Sequence, residues 1–106
     1  MVVTYDDFSK LELVVGQVEN AELVQGADKL LKLIVNIGDE KRQIIAGLAP
    51  LYKPEQMVGK RIIMLINLEP KVIRGLESQG MLLAADSQEV SLLTVDKEVP
   101  PGTRIR

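Results

Sequence analysis

Short apolar runs rich in β-branched residues are the feature that most constrains the fold of this chain. Valine and isoleucine together make up 21 of the 106 residues, and they cluster in runs separated by turn residues. β-Branched side chains pack well on a pleated surface, so runs of this length and spacing are typical of strands. The sequence therefore predicts an all-β domain.

The order of the apolar runs narrows this prediction. The predicted strands are Leu11 to Val24, Leu30 to Ile37, Gln43 to Ala46, Arg61 to Leu68, and a final hairpin of Gly80 to Ala85 with Val90 to Val95. Pro54 to Gly59 predicts a short helix, because proline favours the first helical position and glycine the end. The five-stranded oligonucleotide-binding barrel, or OB-fold, has this order of elements: three strands, a short helix and further strands. We expect residues 1–106 to form one such domain with N- and C-terminal extensions.

Two segments carry more specific expectations. Gly16 interrupts the first predicted strand, where a glycine suggests a β-bulge or a sharp bend. Glu69 to Gln79 contains Pro70, Gly75 and few apolar residues, which favours a long loop. Long loops in compact domains usually carry function.

The residue types that are absent exclude common chemistries. Without cysteine or histidine, the chain has no zinc-finger site, no thiol nucleophile and no histidine general base. Its serines and glycines match no nucleophile-elbow, phosphate-loop or dinucleotide motif. We therefore expect no catalytic residue, no metal site and no cofactor. The N-terminus has neither a signal peptide nor a membrane span, which makes the cytoplasm the default location and a membrane partner unexpected.

The charge distribution gives a mixed indication about nucleic acid. A formal net charge of −2 argues against a polyanion partner. Residues 41 to 74, however, include seven basic side chains and only two acidic ones. The window is compatible with one basic face on an acidic body. An ordinary surface of mixed charges explains the same numbers.

Aromatic residues are too few for binding by base stacking. The chain contains one phenylalanine, two tyrosines and no tryptophan, and Tyr52 is the single candidate platform. A cap over the core beside the short helix is the preferred interpretation of Tyr52. If the barrel binds RNA, phosphates, 2′-hydroxyls and shape must carry the interaction.

A series of motifs resembles the tRNA-binding domain of methionyl-tRNA synthetases, which occurs as a C-terminal domain or as a free β-subunit. The motifs are Asp7-Phe8-Ser9-Lys10, Ala27 to Leu31, Arg42-Gln43-Ile44, Gly47, Tyr52 to Glu55, Val58-Gly59-Lys60, Asn67-Leu68, Lys71, Gly75, Ser78 to Met81, Leu83-Ala84-Ala85 and Val99 to Thr103. The resemblance spans nearly the whole chain without an obvious gap.

This resemblance implies a non-catalytic homodimeric barrel. Such a barrel binds the outside of the folded tRNA corner with little sequence preference and increases a synthetase's hold on its substrate. The implied partners are tRNA, a second copy of the chain and the catalytic chain of methionyl-tRNA synthetase. The implied tRNA-binding residues are Lys29, Arg42, Asn67, Ser78 and Met81, with Lys71 and Arg74 added from charge and position.

The chemistry of these side chains suits RNA. Lys29 supplies a mobile charge for phosphate and Arg42 a planar fork that grips two oxygens. Asn67 and Ser78 are neutral hydrogen-bonding groups, and Met81 offers an adaptable apolar contact. Each has a structural alternative: surface charge for Lys29 and Arg42, an Asx turn for Asn67, a turn cap for Ser78, and core packing for Met81. If Arg42 is a surface residue, reversing its charge leaves the stability of the fold unchanged.

Two other functions remain open at this level. The same family includes a secretion-associated chaperone, a small dimeric barrel that binds peptides. The chain can also serve mainly as a dimerisation module of a synthetase. For dimerisation we expect the segments Met1 to Phe8 and Val95 to Arg106, whose apolar residues the barrel does not need. The alternative is that both segments fold back on their own barrel.

Overall fold

The computed structural model describes residues 1–106 and is built mainly from strands. Its elements in chain order are α1 (Tyr5–Ser9), β1 (Leu13–Val24), β2 (Ala27–Asn36), β3 (Lys41–Ala46), α2 (Pro54–Met57), β4 (Arg61–Leu65), β5 (Lys71–Ile73), β6 (Leu76–Ser78), β7 (Met81–Leu82), β8 (Ala84–Asp86) and β9 (Val90–Leu92). The prediction of an all-β domain is confirmed. The short helix between the third and fourth strands is confirmed as well, with Pro54 at its start.

The main sheet has five antiparallel strands in the order β3-β2-β1-β4-β7. The long strand β1 connects its two halves, since residues 13–17 pair with β4 and residues 17–24 pair with β2. Two separate hairpins, β5-β6 and β8-β9, complete the strands. Sharing one long strand between two neighbours lets the sheet curl around a core.

The main core cluster lies on one face of this sheet. Leu31, Leu33 and Val35 alternate along β2 and are completely buried there. Ile62 and Met64 of β4 reach the same cluster. The period-two alternation of a strand places these residues on one face.

The outer face of β1 and β4 is also buried. Its second apolar cluster consists of Leu13, Val15, Ile63 and Leu65, covered by Leu83, Val95, Val99 and Ile105. Strands buried on both faces need continuous apolar runs rather than alternation. This explains why β4 is apolar at almost every position.

The C-terminal segment supplies that cover and pairs with the free edge of β1. The Gly102 N–H donates to the Val15 carbonyl at 2.7 Å, and the Val15 N–H donates to the Thr103 carbonyl at 2.9 Å. The Ile105 N–H donates to the Leu13 carbonyl at 2.8 Å. The C-terminal segment therefore folds back on its own chain, as in the second of the two alternatives for this segment.

The expected long loop from Glu69 to Gln79 is wrong, because this segment contains the hairpin β5-β6. Ile73 pairs with Leu76, which leaves Arg74 and Gly75 as a two-residue turn. Their φ angles are 55° and 78°, and positive φ at both positions is the mark of a type I′ hairpin turn. An Arg-Gly pair is a weak sequence signal for this turn, whereas Asn-Gly is the strong one.

Gly16 does not mark a β-bulge, so this part of the expectation at Gly16 is wrong. Gly16 pairs regularly with Ile62, while the register irregularities of β1 lie between Val18 and Asn20 and between Leu23 and Val24. A Cβ atom at position 16 would stand 2.5 Å from Val35 Cγ1 and 3.0 Å from Met64 Cγ. The glycine is needed because neighbouring side chains occupy the space over its backbone.

The final hairpin is shorter than expected. Only Ala84 to Asp86 pairs with Val90 to Leu92. The preceding residues Met81 and Leu82 form β7 and pair with β4 instead. The apolar run starting at Gly80 is therefore divided between two partners, which a one-dimensional pattern does not show.

The N-terminal helix α1 was not predicted. Thr4 and Asp7 form a reciprocal capping box, in which the Thr4 N–H donates to Asp7 Oδ2 at 3.2 Å and the Asp7 N–H donates to Thr4 Oγ1 at 3.1 Å. The pKa of the Asp7 carboxyl lies below its ordinary value. The main cause is the hydrogen bond from the Thr4 backbone, followed by those from the Thr4 side chain and Lys10.

Neither helix has the length and apolarity that crossing a lipid bilayer requires.

Candidate nucleic-acid interface

Strand β3 lies at one edge of the main sheet and is closed by side chains rather than by another paired strand. The Gln43 N–H donates to Gln79 Oε1 at 3.0 Å, and the Gln79 N–H donates to the Gln43 carbonyl at 2.8 Å. Gln43 Nε2 also donates to the Glu77 carbonyl at 2.9 Å. We call this junction between β3 and residues 77–79 the seam. It attaches the β5-β6 hairpin to the main sheet.

Ser78 belongs to the seam. Its side chain is buried, and its Oγ accepts a hydrogen bond from the Ile45 N–H at 3.0 Å. The same hydroxyl donates to the Gly80 carbonyl at 3.4 Å. In this structure the hydroxyl satisfies a backbone donor of β3, and its contact with RNA stays a prediction.

Arg42 is engaged within the chain instead of standing free at the surface. Its Nε and Nη2 donate to the two carboxylate oxygens of Glu40 at 3.2 and 3.3 Å. Its Nη1 donates to the carbonyls of Ile66 at 3.0 Å and Gln79 at 3.1 Å. With a side chain only 22% exposed, Arg42 ties β3 to the end of β4 and to the seam. The expectation that charge reversal leaves stability unchanged does not fit these contacts.

We expect Arg42→Ala to lower the free energy of unfolding by about 2 kcal/mol, because hydrogen bonds to charged groups contribute about 1.5 to 3 kcal/mol. Chemical denaturation measures the change. Arg42→Lys is the matched variant: it keeps the charge but cannot bridge two carbonyls and a carboxylate at once. Two results together would contradict this structural role: full tRNA affinity in Arg42→Lys, and a wild-type unfolding midpoint in Arg42→Ala. They would show that Arg42 acts chiefly as a charge for phosphate.

Asn67 connects the end of β4 to the segment before β1. Its Oδ1 accepts from the Glu12 N–H at 2.9 Å, and its Nδ2 donates to the Lys10 carbonyl at 2.7 Å. These long-range bonds replace the Asx turn considered for this residue. They leave Asn67 beside Ile66, whose carbonyl holds Arg42.

Lys29, Lys71 and Arg74 are exposed, and none of them takes part in any of the five ion pairs. Lys71 pairs in register with Ser78 of the seam, and Arg74 occupies the hairpin turn. Lys29 lies on β2, with its carbonyl 3.9 Å from the Cβ position of Gly47 just beyond β3. Lys29 therefore lies on the strand next to β3, and Lys71 and Arg74 lie on the hairpin that the seam attaches to β3.

Of the five other cations of the basic window, Lys53 is exposed and outside every ion pair, and the remaining four are engaged in contacts. Lys41, Arg42 and Arg61 are paired with Glu19, Glu40 and Glu98. The Lys60 ammonium lies 5.8 Å from the centre of the Tyr52 ring. The window is therefore not a uniform basic face, and its free charge is concentrated in fewer residues than the sequence suggested.

Tyr52 occupies the position of a cap over the core. Its hydroxyl accepts from the Leu92 N–H at 3.4 Å and donates to the Val90 carbonyl at 3.5 Å. Its ring packs against the main core cluster. The ring is therefore not a free platform for base stacking.

Met81 lies beside a small apolar depression. Its side chain is 44% exposed, so it is not a core residue of the kind seen at Met57 and Met64. The depression has a volume of about 260 Å³ and is lined by residues 44–48 and 80–82. We call it the slot. It lies where β3 and β7 face each other beyond the seam.

Sequence reasoning missed the two glutamines that build the seam. Gln43 and Gln79 lie next to Arg42 and Ser78 in the motifs, and that adjacency was the only available signal.

No group of three or more His, Cys, Asp or Glu side chains is arranged to hold a metal ion. The chemistry at this surface is thus that of free cations, a backbone edge and an apolar depression.

Comparison with protein families shows which family the chain belongs to. Residues 13–104 match the family model described as "Putative tRNA binding domain". The chain belongs to this tRNA-binding domain family. The match extends from the start of β1 to the C-terminal segment that pairs with it, and so covers every strand of the structure.

Relatives of this tRNA-binding domain occur within methionine–tRNA ligases. It is 56% identical over 106 residues to the ligase of Methanothrix thermoacetophila and 52% identical over 104 residues to that of Thermotoga maritima. These alignments cover 99% and 97% of the chain but only 16% of each ligase. The chain thus spans about one sixth of the length of these relatives.

Solved structures share the whole fold. A MetRS related protein from Pyrococcus horikoshii superimposes with a TM-score of 0.94 at 42% identity, covering 100% of this chain and 99% of the other. The chaperone CsaA from Bacillus anthracis str. Ames gives a TM-score of 0.90 at 28% identity with full coverage of both chains. Proteins described in different functional terms therefore share this architecture.

Proposed function

We propose that this domain binds folded tRNA through its phosphate backbone and shape, as a non-catalytic accessory domain or subunit of a methionyl-tRNA synthetase. The observation that carries the proposal is the set of free cations Lys29, Lys71 and Arg74 on β2 and the β5-β6 hairpin, in a chain of the tRNA-binding domain family. Unpaired lysine and arginine side chains attract phosphates without reading sequence.

The lack of a stacking platform supports a backbone mode. Tyr52, the one aromatic candidate near the barrel, is held by β9 and the core. Folded RNA hides most base edges within its helices, so shape and 2′-hydroxyls remain available. Little preference among tRNA species follows from this mode.

The proposed residues divide into three roles. Lys29, Lys71 and Arg74 contact phosphates directly. Arg42, Asn67 and Ser78 contribute first by holding β3, the seam and the segment before β1 in place, and any RNA contact they make adds to that. Met81 contributes through the slot described below.

We infer that the architecture is the OB-fold and that residues 1–106 act as one unit. In support, the sheet order β3-β2-β1-β4-β7 is joined through the seam, which brings the β3 edge against the segment before β7. The main core cluster is continuous from β2 to β4.

The first expected result is salt-dependent binding of several tRNA species with similar affinity. The logarithm of the association constant should fall linearly with the logarithm of salt concentration, since each neutralised phosphate releases counterions. A mobility-shift titration against folded tRNAs and an unfolded RNA of equal length measures this. Salt-independent binding, or a preference for unfolded RNA, contradicts the proposal.

We also propose a homodimer joined through the N-terminal segment. Val2, Val3 and Tyr5 are exposed by 95%, 65% and 79%, and the Tyr5 and Phe8 rings lie 6.5 Å apart on α1. Contiguous exposed apolar residues mark interaction surfaces. The C-terminal segment is used within its own chain and contributes no free arm.

The dimer proposal predicts that light scattering at micromolar concentration gives twice the chain mass. Removal of residues 1–9 should give the monomer mass, while Leu93→Ala, a change at an exposed apolar residue of the β8-β9 end, should not. A monomeric full-length chain contradicts the dimer, and a dimer that survives the truncation contradicts the N-terminal interface.

A second candidate function is peptide binding, and the similarity to the chaperone CsaA favours it. The slot is the surface that would serve it. Adding an unstructured peptide to the tRNA titration separates the two functions: peptide binding without RNA binding supports the second. The partners proposed under the first function are tRNA, a second copy and the synthetase catalytic chain, and the proposed location is the cytoplasm.

A further inference from the structure

The slot opens where the seam ends. Side-chain and backbone bonds occupy the outward edge of β3 at Gln43 and Ile45. Beyond Ile45 no residue bonds to this edge, and β3 and β7 separate to leave the depression of about 260 Å³. Ile44, Leu48 and Leu82 provide apolar lining, and half-exposed Met81 stands at its side.

The rim of the slot carries a donor and an acceptor side by side. The Ile45 N–H points outward to Ser78 Oγ, and in a strand the carbonyl of a residue faces the same side as its N–H. Gly47, the next residue but one, makes no backbone hydrogen bond through its N–H. An outward carbonyl and a free N–H two residues apart match the adjacent donor and acceptor on the Watson–Crick edge of a base.

The open edge is too short for an added peptide strand. Strand addition draws its affinity from a series of main-chain bonds along an edge, whereas the seam already occupies β3 up to the Ile45 N–H. The slot is also smaller than the pockets of about 300 to 1,000 Å³ that hold drug-sized ligands. Its size suits a single planar ring.

Charge complementarity favours a nucleotide over a neutral apolar group. The carbonyl of Lys29 lies 3.9 Å from the Gly47 Cβ position at one end of the slot. Lys71 pairs in register with Ser78 at the other end. Both ammonium groups are outside the ion pairs of the chain, so each is free for a phosphate flanking a base.

We propose that the slot binds one unstacked nucleobase of the RNA, between Met81 and the end of β3, with the Ile45 carbonyl and the Gly47 N–H on its Watson–Crick edge. This rests on the proposed tRNA binding and adds a contact that backbone recognition does not provide. Unstacked bases occur at the folded corners, loops and bulges of RNA.

Three RNA duplexes test the slot in filter-binding or anisotropy titrations: one fully paired, one with a single unpaired adenosine, and one with an abasic nucleotide at that position. The abasic duplex has the same charge as the adenosine duplex. We expect the wild-type chain to bind the adenosine duplex about tenfold more tightly than the abasic one, because only the adenosine offers a base edge for paired hydrogen bonds. Met81→Ala should reduce this ratio to about twofold. Val58→Ala, at another half-exposed apolar residue, should keep the wild-type ratio.

The outcomes separate the two proposals. If the wild-type chain binds all three duplexes but does not distinguish adenosine from the abasic site, the slot proposal is wrong and tRNA binding stands. If it binds no duplex and no tRNA, both proposals fail. If an extended apolar peptide displaces the adenosine duplex and the abasic duplex equally, the slot is a peptide site. The wild-type ratio decides the matter even if Met81→Ala unfolds.

Discussion

Replacing Lys29, Lys71 and Arg74 together by alanine is expected to weaken tRNA binding roughly 100- to 1,000-fold at about 0.1 M salt, the largest functional effect of any change considered for this domain. Each phosphate contact adds about 0.9 to the magnitude of the slope of log affinity against log salt concentration. One contact therefore raises the affinity by nearly tenfold when the salt concentration falls from about 1 M to about 0.1 M. Three lost contacts should therefore also lower the slope by roughly 2 to 3. Titration at several salt concentrations measures both quantities.

The fold should survive this triple replacement, because none of the three cations belongs to an ion pair of the chain. Lys53, Lys97 and Arg106 form the matched control: they are exposed, unpaired and carry the same total charge. Replacing them by alanine should change the affinity by no more than a few-fold. Equal losses in the two triple variants would show that only bulk charge matters and that the interface is misplaced.

Gly16→Ala is expected to lower the free energy of unfolding by about 3 kcal/mol, the upper end of ordinary overpacking. The added methyl group would stand 2.5 Å from Val35 Cγ1, and both Val35 and Met64 are completely buried. Neither side chain has free space to enter, so the contact between β1 and its neighbours must shift. For a domain of this size the thermal midpoint should fall by roughly 12 to 24 °C.

Gly47→Ala is the matched control for Gly16→Ala. It shows how the loss of a glycine changes the free energy of unfolding at a position where the added methyl group has room. A Cβ at position 47 meets only the Lys29 carbonyl, at 3.9 Å, which is ordinary contact. Replacing glycine by alanine at a compatible position stabilises by about 0.4 to 1 kcal/mol through the unfolded chain. Thermal or denaturant unfolding should therefore give opposite signs for the two variants. A similar small change in both would mean that β1 is less tightly packed than the structure indicates.

Strands β1 to β4 of the main sheet could be predicted from local pattern because each one carries its own signal. β2 alternates Leu31, Leu33 and Val35 toward the core, and β4 is a run of β-branched and apolar residues. The hairpin β5-β6 carried no such signal. Its outward residues include an exposed valine, Val72, and its turn uses an arginine at positive φ. Contacts with β3 through the seam, rather than local propensity, hold it in place.

The candidate site was predictable by residue but not by role. The motifs singled out Arg42, Asn67 and Ser78, and the structure places all three at the joints of β3, the seam and the segment before β1. A linear pattern cannot show that Arg42 has its hydrogen-bond donors committed to carbonyls 24 and 37 residues away. The same holds for Gln43 and Gln79, whose partners are set by the curl of the sheet.

The sequence by itself determined the all-β class, the helix between β3 and β4 and the membership of the tRNA-binding family, because these depend on side-chain periodicity, turn residues and motifs that are local in the chain. Tertiary structure alone decided which cations remain free, where β3 and β7 separate to form the slot, and that the C-terminal segment covers β1 and β4. Each of these depends on groups distant in sequence competing for the same donors, acceptors and space. That competition is resolved only in the folded chain.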